Sequence, residues 1–163
     1  MDCSWSAGNN GCGGGLMDYA FTYVEKHGAC SESSYPYTGV STHTCKKCKP
    51  VVHISGYADV PKANEDAFIK ALNKQPLSIA IEADQQSFQF YKSGIMSAKC
   101  GTQLDHGVAA VGYTDDYFIV RNSWGTSWGE DGYIRLARGK KYNNGQGQCG
   151  MFLAASAPKA KKN

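Results

Sequence analysis

Leu104-Asp105-His106-Gly107-Val108-Ala109-Ala110-Val111-Gly112-Tyr113 and Tyr117-Phe118-Ile119-Val120-Arg121-Asn122-Ser123-Trp124-Gly125 decide how this chain is read. Both are short apolar runs rich in Val, Ile and aromatic side chains, and Thr114-Asp115-Asp116 between them supplies turn chemistry. Together they predict an antiparallel hairpin. With its midpoint at Thr114, His106 and Asn122 become direct cross-strand partners on one face, a register that a bulge would break. An imidazole facing a carboxamide is held in one tautomer: the amide oxygen accepts from one ring nitrogen and the other stays available for proton transfer. The competing reading is a histidine satisfied at a strand end. Ser123-Trp124-Gly125 and Trp128-Gly129 weigh against it, because they bring aromatic cover that would exclude water from the pair.

Around this hairpin the composition is globular. The chain has 163 residues, 42% of them hydrophobic, enough for one core or two small packed lobes. The net charge of +3 leaves one basic run, Lys159-Ala160-Lys161-Lys162, read as a solvated tail and not as a nucleic-acid surface. No apolar run is long enough to span a bilayer, and the first residues lack the basic-then-apolar pattern of a signal peptide. Seven cysteines at spacings that match no full zinc ligand set point to disulfides, and so to an oxidising or endolysosomal compartment, with one thiol left over.

Read from its start, the chain first offers a turn-rich stretch, Asn9-Asn10-Gly11-Cys12-Gly13-Gly14-Gly15, whose glycines let another backbone come close. An amphipathic helix follows, with Leu16, Ala20, Phe21 and Val24 on one face and Gly28 just past its end. Ser33-Ser34-Tyr35-Pro36-Tyr37 reads as a loop. Cys45-Lys46-Lys47-Cys48 by itself fits half a zinc site or a redox pair, but no second Cys-x-x-Cys or His-x-x-x-His exists, which favours disulfide use. Beyond Gly56 the composition shifts. Asn64 caps a helix with Glu65 and Asp66 in its first turn and Ala67, Phe68, Ala71 and Leu72 inward, and Pro76 ends it. A strand over residues 77–83, core aromatics at Phe88, Phe90 and Tyr91, a strand over 132–137 and a polar loop over 140–147 complete the reading.

The blocks around His106 and Asn122, the second running on through Thr126-Ser127-Trp128-Gly129-Glu130-Asp131-Gly132-Tyr133-Ile134-Arg135, resemble the histidine and asparagine blocks of papain-like cysteine proteases, the cathepsin L-like branch in particular. The likeness runs from Asp2-Cys3 to about Ala155. It implies an α+β, two-lobed fold in truncated form: a remnant of the helical lobe over 1–58, and a β-rich, barrel-like lobe over 59–163 that carries the catalytic residues and the basic tail. Asp59-Val60-Pro61 resembles the crossing between lobes. By this resemblance His106 is the catalytic base, Asn122 its orienter and Trp124 the indole that shields them. Cys3 is matched with the Cys45 region and Cys100 with Cys149, while a Cys30–Cys48 bridge would use the two cysteines beyond the simplest family pattern. Cys12 stays unpaired, since its family partner lies just before the nucleophile.

That nucleophile is not in the sequence. A cysteine protease needs a thiolate beside an imidazolium and an oxyanion hole for the developing charge. In the family both come from a Gln-Gly-x-Cys-Gly-x-Cys-Trp block, and none of the seven cysteines is followed by Gly-x-Cys-Trp. The expectation is a cysteine endopeptidase represented by an N-terminally truncated chain, inactive alone, with apolar surface exposed and poor solubility. Two alternatives stand beside it: a non-catalytic homologue that binds extended peptides or protease inhibitors, and a small disulfide-stapled or zinc-binding protein without protease ancestry.

The resemblance also assigns a substrate site. Gly14 and Gly15 match positions that pair with an extended substrate backbone. Leu16, Met17, Ala80, Leu104, Gly107 and Ala154 match the pocket for the second residue before the scissile bond, and Asp105 falls among the substrate-binding positions. This pocket is uncharged, so a substrate Leu, Phe or Val is favoured over Arg. The family further implies a monomer without cofactor or metal, peptide or protein substrates, cystatin-like inhibitors, no nucleic-acid or membrane partner, and a lysosomal, endosomal or secreted location.

Overall fold

The predicted hairpin forms, but not in the expected register. Strand β4 (His106–Tyr113) pairs antiparallel with β5 (Tyr117–Arg121), and Thr114 closes the turn: its amide donates to the Tyr117 carbonyl and its hydroxyl accepts from the Asp116 amide. Ala109 faces Arg121 and Ala110 faces Val120, whereas Gly112 faces Ile119 and Tyr113 faces Phe118. The extra residue on β4, Val111, is a bulge. His106 and Asn122 are therefore not direct cross-strand partners. Carried one step further, the register sets Asn122 level with Val108, two residues along β4 from His106.

A computed structural model describes residues 1–161; Lys162 of the basic run lies outside the described residues. The chain sorts into two units, one of residues 1–58 together with 158–161, the other Asp59–Ala157. Residues 158–161 thus group with the first unit, whereas the expectation put them in the lobe over 59–163.

In the first unit, α1 (Met17–His27) begins after the glycine stretch, and Gly28 ends it at φ 74°, a conformation that favours glycine. Leu16 precedes the helix as its N-cap residue and is exposed, so it does not extend the apolar face as expected. The Cys3–Cys45 disulfide ties the irregular residues 29–53 to the start of the chain, and Cys30–Cys48 closes a loop within that segment, which has almost no regular structure. Strand β1 (Ile54–Asp59) follows, and the Ser55 hydroxyl donates to the carbonyls of Lys159 and Ala160.

The second unit holds α2 (Glu65–Leu72), β2 (Leu77–Ile81), the short α3 (Gln86–Gln89), β3 (Ile95–Met96), the β4–β5 hairpin, β6 (Tyr133–Ala137) and most of β7 (Ala155–Ala160). Asn64 caps α2 through its side chain, which accepts from the Ala67 amide at 2.9 Å. The strand order is β7-β2-β4-β5-β6-β3, antiparallel except for β3 against β6. Alternate residues of β2 and β5 are fully buried, Leu77, Ile79, Ile81, Phe118 and Val120, as the two-residue side-chain period of a strand requires. Phe68 from α2 closes the core against Phe118 and Phe152, with ring centroids 5.4 and 4.9 Å away. The Cys100–Cys149 disulfide is buried in the same core.

Three expectations for this unit need correction. The strand after α2 stops at Ile81, and the next amides bond outside the ladder: that of Glu82 donates to the Cys149 carbonyl and that of Ala83 to Asp105 Oδ1. Phe90 is 72% exposed: Phe88 and Tyr91 turn into the core from α3 and the turn after it, and Phe90 falls on the outer side. The loop over 140–147 contains a 3-10 turn, Tyr142–Gly145, and Gly147 at its end is buried.

Candidate active site

His106 opens β4 and Asn122 directly follows β5, so the sheet positions both side chains. His106 Nε2 lies 2.8 Å from Asn122 Oδ1. The Ser123 amide donates to the same oxygen at 2.8 Å. A backbone N–H can only donate, so this second bond identifies the atom as the carboxamide oxygen, and Nε2 must then carry a proton. Nδ1 is left with its lone pair and has no hydrogen bond among the described residues. Such a histidine can take a proton at Nδ1 while its ring is held through Nε2.

Aromatic rings enclose the pair. The Trp124 ring lies 5.0 Å from that of His106, and Trp128 meets Trp124 edge-on at 5.3 Å. Phe88 stands edge-on to Trp124 at 5.6 Å and to His106 at 6.4 Å. Trp128 is anchored by its indole N–H, which donates to the Gln89 carbonyl at 3.0 Å. Asn122 is 7% exposed, whereas Trp124 is 40% exposed. The bond is thus covered from one side, with the outer tryptophan still open to solvent. Dry surroundings strengthen a hydrogen bond of this kind. Phe88 and Ser123 are the site members that sequence reasoning missed. Phe88 carried only a core signal, and the part played by Ser123 lies in its amide, which every residue but proline possesses.

The pocket residues of the second unit come together in part. Ala80 faces Gly107 across β2 and β4, and the Ala80 amide donates to the Ala154 carbonyl at 2.9 Å. Leu104 precedes β4 and packs close to Gly150. Asp105 is held by the protein itself: its Oδ1 accepts from the Ala83 amide at 2.8 Å and its own amide donates to the Ile81 carbonyl. Gly14, Gly15, Leu16 and Met17 belong to the first unit. There the Asn9 carboxamide accepts from the Leu16 amide at 2.8 Å and sits where a side chain at position 15 would have to go. Both backbone groups of Gly14 are engaged within the turn, whereas those of Gly15 have no partner among the described residues.

Among the described residues no group of His, Cys, Asp or Glu side chains is arranged to hold a metal ion. Cys12 is a free, exposed thiol. A concavity of about 270 Å³ in the first unit, bordered by both of its disulfides, Tyr23 and Tyr35, includes none of the residues assigned to catalysis or substrate binding.

The site is thus a histidine hydrogen-bonded to an asparagine beside two tryptophans. The family described as papain family cysteine protease matches residues 1–159, and the chain belongs to it. Among curated proteins it is 49% identical over 166 residues to thiol protease SEN102 from Hemerocallis, covering 97% of this chain and 45% of that protein. It is 50% identical to the probable cysteine protease RD21C of Arabidopsis thaliana, covering 97% of this chain and 36% of that one. The chain therefore spans less than half the length of these relatives. Among solved structures, the Carica candamarcensis cysteine protease CMS1MS2 in complex with E-64 matches at TM-score 0.88 and 43% identity, over 94% of this chain and 72% of that one. The proform of the ragweed pollen cysteine protease Amb a 11 matches at TM-score 0.91 and 42% identity, over 99% of this chain and 45% of that one.

Proposed function

We propose that this chain is the C-terminal portion of a cysteine endopeptidase in which His106 is the general base and acid, Asn122 its orienter and Trp124 their shield. The observation that carries the reading is the His106 Nε2 to Asn122 Oδ1 bond with Nδ1 left open. In the completed enzyme Nδ1 takes the thiol proton of a cysteine outside this sequence. The thiolate attacks the peptide carbonyl, the imidazolium returns the proton to the leaving amine, and water then cleaves the thioester. No cysteine of this chain fills the nucleophile's role: six are paired in disulfides, and Cys12 lies in the first unit's glycine turn. Residues 1–163 alone therefore leave peptides intact.

Ala80, Leu104, Gly107 and Ala154 are uncharged walls of a subsite that selects apolar side chains by burial. Gly15 offers its amide and carbonyl to an extended substrate backbone. Cystatin-like inhibitors occupy the same surface, the enzyme is a monomer, and its three disulfides suit a lysosomal, endosomal or secreted location.

The test is turnover of a fluorogenic peptide with Leu at the second position before the scissile bond. The product of the complete reading frame should cleave it, a thiol-directed epoxide should block it, and His106→Ala should abolish it. Purified 1–163 should not cleave it; epoxide-sensitive turnover by 1–163 that is lost in His106→Ala would overturn the assignment of an outside nucleophile. A complete product with an intact thiol and no turnover would favour a peptide-binding homologue.

A further inference from the structure

Glu82 is 6% exposed and enters none of the ion pairs among the described residues. Burying a carboxylate without a counter-charge is costly unless hydrogen bonds satisfy it. Here the donors are backbone amides of one irregular segment. Glu82 Oε1 accepts from the Gly101 amide at 3.0 Å and Oε2 from the Gln103 amide at 2.6 Å, and Gln85 Nε2 adds a third bond to Oε1 at 3.0 Å. The fit is close: a Cβ at position 101 would overlap both carboxylate oxygens, so a side chain there would have to displace them. The Glu82 amide donates to the carbonyl of Cys149, the disulfide partner of Cys100, so the residue itself is held at its backbone.

Residues 101–105 form no helix or strand, yet they end at His106 and carry Leu104. Leu104 lies between two anchors: Gln103, whose amide is held by Glu82, and Asp105, whose amide and carboxylate are held by the Ile81 carbonyl and the Ala83 amide. We propose that Glu82 is a positioning residue for substrate selection, which fixes the Leu104 wall of the apolar subsite by binding the backbone that precedes it and does not itself touch substrate. This rests on the reading of Leu104 as a subsite wall. Charge-assisted bonds to two amides are strong, and their loss frees the segment on the Gln103 side only. Leu104 then no longer presents a fixed surface to the substrate side chain, while the His106–Asn122 bond, made from the strands, persists.

The experiment uses the product of the complete reading frame and two peptides that differ only in Leu or Gly at the second position before the scissile bond. Glu82→Ala should raise KM for the Leu peptide about tenfold, the effect of losing a charged hydrogen-bond acceptor, with kcat within about twofold and the preference for Leu over Gly largely lost. Glu82→Gln keeps acceptor oxygen at one position and should recover most of that preference. In a Leu104→Ala background, Glu82→Ala should add almost nothing. Backbone hydrogen exchange on the same proteins should show the Gly101 and Gln103 amides exchanging at least about tenfold faster in Glu82→Ala, with β4 and β5 unchanged. Unchanged exchange at those two amides overturns the proposal, as does an equal loss of kcat on both peptides with the Leu preference retained. If the wild-type protein cleaves neither peptide, the protease reading fails, and the exchange comparison still decides whether Glu82 holds the segment.

Discussion

His106 and Asn122 bond at 2.8 Å although they are not opposite each other on the hairpin. The Val111 bulge shifts the two strands, so the carboxamide reaches the imidazole along a diagonal. Diagonal neighbours on one sheet face are within reach of long side chains. The Ser123 amide then fixes which end of the carboxamide faces the ring.

Asn122→Ala removes the acceptor that holds the ring. In the completed protease we expect kcat to fall by about tenfold to a hundredfold with KM little changed, because the group lost orients the proton carrier and does not bind substrate. Steady-state kinetics on a peptide substrate measures it. A KM effect alone would contradict the role of Asn122 as orienter.

The uncharged subsite should discriminate against Arg. Cleavage after Leu at the second position before the scissile bond should exceed cleavage after Arg by tenfold or more, roughly the burial of one apolar side chain. Ala154→Glu places a carboxylate beside Ala80 and should narrow or reverse that ratio, as competition between the two peptides would show.

Glu130 and Arg135 form a bidentate pair, with Glu130 Oε1 also accepting from the Gly94 amide at 3.0 Å. The Arg135 hydrogen bonds hold the Glu130 carboxyl below its ordinary 4.5. A depressed folded-state value means that the contribution to stability is complete above the ordinary value and is lost as pH falls through the lower, folded one. The wild type should therefore have a higher urea midpoint than Glu130→Gln at about pH 6, and the gap should narrow as pH falls below the ordinary carboxyl value. A gap that widens on acidification would reverse the sign.

Cys12 should be the one thiol that reacts in native 1–163. Intact mass after alkylation without reductant is expected to show one adduct, and after unfolding and reduction all seven cysteines should be modified. More than one native adduct would mean that a disulfide of this structure is not formed.

Asn64→Ala removes the α2 cap, whose oxygen satisfies the Ala67 amide. The expected cost is about 1 kcal/mol of stability, measured as a shift of the chemical unfolding midpoint with unchanged slope.

Much of this was legible in the chain because it rests on local chemistry. Asn64 with acidic residues after it announces a helix start, Gly28 a helix end, and alternating Leu77, Ile79 and Ile81 a strand with one buried face. The types and order of His106, Asn122 and Trp124 carried the resemblance to papain-like proteases, because side-chain identity is written in the sequence whatever the register. Tertiary structure alone decided the rest. A bulge at Val111 depends on how β4 meets both β2 and β5, and no residue there marks it. Phe88 and Phe90 are the same residue type two positions apart, yet one is buried and the other exposed, because a helical turn sends them to different sides. Glu82 reads as an ordinary charged residue until residues 101 and 103 are brought to it across the fold, since donors to a buried carboxylate can come from backbone amides that every sequence contains.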